Sequence, residues 1–356
     1  MDYKRKKTRK ILVGGVGIGG DSAITVQSMT NTDTSDIAST LHQVRELEGA
    51  GCDIVRLTAP TVESVKTFVA LKEQGIRIPL VADVHFNHKI AVEAAYGGAD
   101  KIRINPGNIG GMENVREVAR ACRINRVPIR IGVNSGSVEK QILAKYGAPT
   151  PEALVESALS HIKMLEAADF YDIAVSVKAS SVGNMILANR LLSQSVDYPI
   201  HLGVTEAGEG SSAIIKSSIG VGTLLSEGIG DTVRVSLTDN PVKEVAAARS
   251  ILSALGIIDG GMDIVGCPTC GRTKIDLIPL MREFKARAER EGLMNKKIKV
   301  AIMGCVVNGP GEAKEADVGI AGGIGEGLLF CHGEIIGKVK EEHLIDALID
   351  QIKKME

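Results

Sequence analysis

Asp53-Ile54-Val55-Arg56-Leu57, then Thr61 to Gln74, then Pro79-Leu80-Val81-Ala82-Asp83-Val84 form one repeat of a longer rhythm. The outer runs are short and apolar on both faces, as in a strand covered from both sides, while the middle stretch carries apolar residues at helical spacing. Similar β-branched runs fall at Ala23 to Met29, Lys101 to Ile104, Pro128 to Val133, Asp172 to Val177, Pro199 to Val204 and Thr232 to Leu237. Further amphipathic stretches lie between them, among them Ser35 to Ala50 and Pro151 to Ala167; the latter has Thr150 as N-cap and Pro151 at its first helical position. Eight strand-helix units in about 250 residues predict an α/β chain whose first part is a TIM (β/α)8 barrel rather than an open sheet. The long spacing from the fifth run to the sixth leaves room for an inserted loop around Ser135 to Ala148.

Gly15-Val16-Gly17-Ile18-Gly19-Gly20 matches the dinucleotide-binding pattern by letter. It precedes the first long strand instead of joining a strand to a helix, so it is read as a glycine-rich hairpin closing the barrel bottom, and no NAD site is inferred. The chain has 356 residues and a formal net charge of -1, which favours neither nucleic acid nor an acidic membrane surface. The basic opening from Lys4 to Lys10 reads as a solvated, partly frayed terminus. No apolar run approaches the roughly 18 residues of a membrane span, so a cytoplasmic protein is expected. There its six cysteines stay reduced, and the clustered ones are placed for metal ligation.

The clusters are Cys267-Pro268-Thr269-Cys270 and Cys305-Val306-Val307-Asn308-Gly309-Pro310-Gly311-Glu312. Two thiolates two residues apart, joined by a third from a distant loop, can share one inorganic centre. A closed zinc site wants four Cys or His ligands, and none completes the second cluster, where the candidate is Glu312. The incomplete set favours an iron-sulfur centre with one exchangeable iron over zinc. Cys52 and Cys122 read as buried packing residues and Cys331 as a strand residue.

A TIM barrel keeps its active site at the C-terminal strand ends. Read there, the strands supply Arg56, Asp83 with His85, Arg103 with Asn105, Arg130 with Asn134, Lys178 with Ser180, Thr205 with Glu206, and Ser236; Arg234 lies farther from its strand end. Any one of these cations could be a simple ion-pair member. Together, in an electroneutral chain, they point to a bound polyanion, and guanidinium forks suit a diphosphate. Among so many cations Glu206 would be stabilised as a carboxylate, available as an acid/base or charge partner.

The strings Val26 to Thr34, Ala82 to Phe86, Arg103 to Asn108, Gly203 to Gly208, Cys267 to Thr273 and Met303 to Glu312 resemble those of the 4-hydroxy-3-methylbut-2-enyl diphosphate synthase family, in its bacterial two-domain form. The likeness spans nearly the whole chain. It implies a barrel over residues 1–256 that binds the substrate diphosphate, and a cluster domain over 257–356. It further implies reductive ring opening and dehydration of 2-C-methyl-D-erythritol 2,4-cyclodiphosphate, a small cyclic diphosphate of isoprenoid biosynthesis. By the same likeness, Cys267, Cys270, Cys305 and Glu312 hold a [4Fe-4S] cluster. Arg56, Arg103, Arg130 and Lys178 would grip the diphosphate, helped by polar groups such as Asn134, Ser180 and Ser236, with His85 and Asn105 beside them. Glu206 would assist protonation or dehydration, and reduced flavodoxin or ferredoxin would supply electrons.

Chain order adds an expectation. Asn240-Pro241 opens a helix running back from the eighth strand to about Leu255, so the second domain starts at the barrel's bottom with only Ile257 to Met262 as linker. The cluster of one subunit is therefore expected to cap the barrel of another, in a head-to-tail homodimer with composite active sites.

Overall fold

The computed structural model describes residues 4–306 and 315–355 and divides into two compact units, Met1–Ile257 and Ile258–Glu356. The first opens with a hairpin of β1 (Ile11–Val13) and β2 (Val16–Ile18), followed by β3 (Thr25–Met29), α1 (Ile37–Gly49), β4 (Ile54–Thr58), α2 (Val65–Glu73), β5 (Leu80–Asp83), α3 (His88–Tyr96), β6 (Lys101–Ile104) and α4 (Met112–Asn125). It continues with β7 (Ile129–Asn134), α5 (Lys140–Tyr146), α6 (Pro151–Glu166), β8 (Ile173–Lys178), α7 (Val182–Ser195), β9 (His201–Leu202), α8 (Gly210–Ser226), β10 (Thr232–Val233) and α9 (Pro241–Ala254). Strands β3 to β10 form one parallel sheet in the order β8-β7-β6-β5-β4-β3-β10-β9. The ring closes between its ends through the parallel bridge Val175↔Ile200, where the Val175 N–H donates to the Pro199 carbonyl at 2.9 Å. This is the expected TIM barrel.

Local chemistry sets the element ends. Asp36 caps α1 by accepting from the Ser39 N–H, and Thr150 caps α6 by accepting from the Ala153 N–H. Helix α2 starts later than its apolar pattern because Ser64 Oγ donates to the Thr61 carbonyl at 2.6 Å, folding Thr61 to Ser64 into a hydroxyl turn. Strands β9 and β10 are far shorter than their apolar runs. Pro199 has no N–H to give the ladder, and Gly203 breaks off the run after Leu202. The insertion after β7 holds a 3-10 turn at Ser135–Ser137 and then α5.

The β1–β2 hairpin seals the barrel bottom: Ile11, Val13 and Ile18 pack with Ile54, Val81 and Ala174 from inside the ring. Its turn needs Gly14 and Gly15, at φ +52° and +92°. The basic segment ahead of it is not frayed from Lys4 onward. Arg5 donates to the carbonyls of Gly20 and Ser22, Lys6 donates to those of Ser193 and Val196, and Arg9 pairs with Asp197 at 2.9 Å while lying over the Tyr198 ring. Free carbonyls near the end of α7, together with nearby carboxylates, hold these cations down.

The second unit carries β11 (Asp263–Gly266), α10 (Leu277–Arg290), β12 (Lys299–Met303), β13 (Val318–Gly322), β14 (Glu326–Cys331), β15 (Glu334–Lys340) and α11 (Leu344–Lys354). Its sheet runs β11-β12-β13-β14-β15, with the first three strands parallel and the last two antiparallel. Helices α10 and α11 pack Leu277, Phe284, Leu348 and Ile352 on Val300, Ile302, Val318 and Ile320 in one apolar core. No helix among the described residues is long and apolar enough to cross a membrane.

Candidate active site

Successive side chains of a strand point to opposite faces, so every second residue of each barrel strand faces inward. Inward positions near the strand ends bring Arg56, Asp83, Arg103, Arg130, Lys178 and Arg234 around one cavity of about 120 Å³, whose wall also includes His85, Asn134, Ser176, Thr205 and Ser236. Five cations thus meet in one mouth. Arg130 is 1% exposed and Lys178 6%.

Asp83 organises part of this charge. Its carboxylate takes Arg103 Nη1 at 3.1 Å and stands 3.7 Å from Arg56 Nε. Burial works to raise its pKa, but Arg56 and Arg103, with His85 and Arg130 behind them, outweigh that and hold it at about 2. Burial pushes Arg56 down to about 10 despite Asp83. Arg56 also rests on Met29 Sδ, 2.8 Å from Nη2. Arg234, set apart in the sequence because it lies farther from its strand end, reaches the same cavity and is gripped by Glu244 of α9 at 3.2 Å. Nothing in the local sequence marks Glu244; the signal is a buried acid on the helix behind the strand that carries Arg234.

Two glycines make the cluster possible. A Cβ on Gly132 would stand 2.4 Å from Arg103 Nε, and one on Gly203 would stand 2.9 Å from Lys178 Nζ and 2.6 Å from the Arg234 carbonyl. Both inward positions must be bare for the long side chains to cross the barrel.

The other candidates stand around this pocket. Asn105 is buried, accepts from the Gly107 N–H at 3.1 Å and thereby caps the turn after β6. Ser180 is exposed in the loop after β8. Glu206 is exposed beside Thr205 in the left-handed backbone region, φ +54°, which a residue with a Cβ seldom occupies.

In the second unit, parallel pairing of β11 and β12 places Cys267 and Cys305 just beyond neighbouring strand ends. The Gly304 N–H donates to Cys267 Sγ at 3.2 Å, the kind of bond that tunes a ligating sulfur. Cys270 is exposed, and hydrogen bonds from the backbone and side chain of Arg272 hold its thiol below the usual range. Among the described residues no group of three or more Cys, His, Asp or Glu is gathered closely enough to hold a metal ion. The donors fit an iron-sulfur group in type, in their origin at strand ends and in the amide aimed at sulfur. Glu312 lies outside the described residues. Cys331 pairs with Val318, at the opposite end of the sheet from Cys267 and Cys305. Cys52 and Cys122 are buried, and burial pushes the Cys52 thiol up to about 11.

Comparison with known proteins covers both units. Residues 8–249 match the GcpE TIM-barrel domain and residues 263–354 the GcpE protein C-terminal domain. A protein of Clostridium perfringens named 4-hydroxy-3-methylbut-2-en-1-yl diphosphate synthase (flavodoxin) is 55% identical over 98% of this chain and 99% of its own length. One of the same name from Caldanaerobacter subterraneus is 55% identical over 100% of this chain and 99% of its own. In fold alone, the chain is similar to the phospho-2-dehydro-3-deoxyheptonate aldolase of Thermotoga maritima, with TM-score 0.52, 12% identity and coverage of 70% of this chain and 74% of that one. With both family domains matched in order and relatives aligned end to end, the chain belongs to the GcpE family.

Proposed function

We propose that this protein reduces 2-C-methyl-D-erythritol 2,4-cyclodiphosphate to 4-hydroxy-3-methylbut-2-enyl diphosphate, opening the ring and losing water. Counted on neutral species, substrate plus two electrons and two protons gives product plus one water. The observation that carries this reading is the buried ring of five cations at the barrel mouth, in a chain aligned end to end with enzymes named for that diphosphate.

Arg56, Arg103, Arg130 and Lys178 bind the diphosphate oxygens, with Arg234 beside them, while His85, Asn134 and Ser236 complete the wall. Asn105 and Ser180 join from the loops after β6 and β8. Desolvation strengthens each of these contacts and fixes the ring for cleavage. Glu206, next to the pocket-lining Thr205, supplies the proton that leaves with the departing oxygen. Residues 1–256 are thus the substrate domain and 257–356 the electron-delivering one. Cys267, Cys270, Cys305 and Glu312 would hold a [4Fe-4S] cluster, which when bound supplies single electrons to the carbon-oxygen bond. The relatives' names support reduced flavodoxin as donor, and ferredoxin carries the same chemistry. The protein works in the cytoplasm, where thiols stay reduced.

The order of the chain supports a homodimer with composite sites, because α9 ends at Ala254, Gly256 follows in the left-handed backbone region, and few residues separate it from β11. Anaerobically purified protein is expected to contain iron and sulfide and to consume the cyclic diphosphate with reduced flavodoxin. A colourless zinc protein, inert to the substrate, would sink the proposal. Mixing Cys270→Ser with Glu206→Gln protein tests the dimer: recovered activity supports shared sites, and none counts against them.

A further inference from the structure

Beneath the cationic pocket the barrel holds a polar layer for which the proposed chemistry has no use. Lys101 opens β6, is 0% exposed, and its Nζ has no hydrogen-bond partner among the described residues. It pairs in register with Val81 of the apolar plug, while Arg103, two residues on, reaches the pocket. Lys101 therefore sits one layer below the pocket wall. The barrel interior also holds His201, which lies within electrostatic reach of Lys101 and whose Nδ1 stands 3.4 Å from Thr232 Oγ1 while Nε2 has no partner among the described residues, and Gln27, in register with Ile54, whose amide oxygen and nitrogen both lack partners among them.

Above this layer the pocket carries Arg56 on β4, Asp83 on β5, Arg103 on β6 itself, Arg130 on β7, Lys178 on β8 and Arg234 beyond β10, with His85 at the rim; Arg130, Arg56 and His201 on β9 are within electrostatic reach of Lys101, and Glu244 reaches Arg234 from α9. With Lys101 counted, six lysines and arginines face two carboxylates. Asp83 is already engaged by Arg56 and Arg103, and Glu244 by Arg234. Such an excess of desolvated positive charge does not persist without an anion, and arginine keeps its proton under nearly all conditions. A lysine is the group that yields, and of the two Lys101 is the one whose nitrogen is fully buried without a hydrogen-bond partner among the described residues. Burial first, then Arg130 and Arg56, set the Lys101 amine well below its ordinary value. Lys178 stands in the pocket wall and would touch the diphosphate directly; Lys101 does not line that wall.

We propose that Lys101 is a proton acceptor built into the barrel floor: it takes one proton from solvent as the diphosphate enters, so that substrate binding and proton uptake are coupled. The step is R–NH2 plus H+ giving R–NH3+, with no bond made to the ligand. It rests on the diphosphate reading of the pocket. A cyclic diphosphate brings two negative charges and keeps only one strongly acidic oxygen on each phosphorus, so the ligand itself does not titrate near neutrality. Uptake is confined to the window above the lowered pKa of the free protein and below the raised pKa of the complex. Below that window Lys101 already carries its proton; above it neither state does.

The test is titration calorimetry of the full-length, cluster-loaded protein, kept oxidised and anaerobic so that no turnover occurs. 2-C-Methyl-D-erythritol 2,4-cyclodiphosphate is titrated in two buffers of different ionisation heat across a pH series. Wild type is expected to take up about one proton per ligand within the window, with Kd rising up to roughly tenfold per pH unit through it. Lys101→Met should lose the uptake and the pH slope together. Lys101→Arg should bind while taking up no proton, because its charge cannot be shed. Wild-type binding without uptake at any pH, or uptake surviving in both variants, overturns the proposal. Failure of wild type to bind this ligand overturns the diphosphate reading and this proposal with it. If the Met variant does not fold, the Arg variant and the wild-type pH series still decide.

Discussion

The barrel and the C-terminal unit fill their interiors in opposite ways. The C-terminal sheet buries Val300, Ile302, Val318 and Ile320 under α10 and α11, and its candidate ligands Cys267 and Cys305 stand beyond the strand ends, Cys267 packed against the edge of that core. The barrel keeps Ile102, Ile104 and Ile131 for one face of its strands and turns Lys101, Arg103 and Arg130 to the other. One unit thus keeps its candidate chemistry at the edge of its core, while in the other the middle of the fold and the site share the same residues. Changes inside the barrel should therefore disturb binding and folding together, whereas in the smaller unit the two should separate.

Four substitutions break or sharpen this contrast. Arg130→Met removes a 1%-exposed guanidinium from the proposed diphosphate grip and is expected to cost about 2–5 kcal/mol in transition-state binding, roughly thirty- to several-thousand-fold in kcat/KM under steady-state assay. Ile302→Ala should cost about 2–5 kcal/mol of stability in denaturant unfolding, while calorimetric binding of the cyclic diphosphate to folded protein stays near wild type. Weakened binding there would mean the two units are not independent. Gly203→Ala places a methyl where Lys178 Nζ and the Arg234 carbonyl stand, for about 1–3 kcal/mol of stability, with loss of affinity alongside. An unaffected affinity would show that Lys178 can retreat without consequence. Cys331→Ser, at the far end of its sheet, should shift stability by only about 0.5 kcal/mol and leave iron content intact.

Much of the barrel was legible because buried parallel strands and amphipathic helices carry strong periodic signals, and Thr150 with Pro151 marked the start of α6 to the residue. Strand lengths at β9 and β10 were not, since an apolar run does not say where a ladder loses its partners. The pocket cations were legible one by one at strand ends, apart from Arg234, whose place depends on Glu244 from a helix behind it. The bareness of Gly132 and Gly203 was invisible for a different reason: it answers to side chains on neighbouring strands, which adjacency in sequence cannot reveal. The ordering of the basic terminus is not legible because its partners are carbonyls, which carry no sequence signature, and carboxylates such as Asp197 and Asp231 that lie far along the chain.

The apolar hairpin of Ile11, Val13 and Ile18 stops the bottom of the barrel like a cork. Among the described residues the pocket is closed below and opens at the C-terminal strand ends, so whatever is made there leaves by the route its precursor used. Occupancy by product and by fresh substrate is then mutually exclusive, and product should act as a competitive inhibitor.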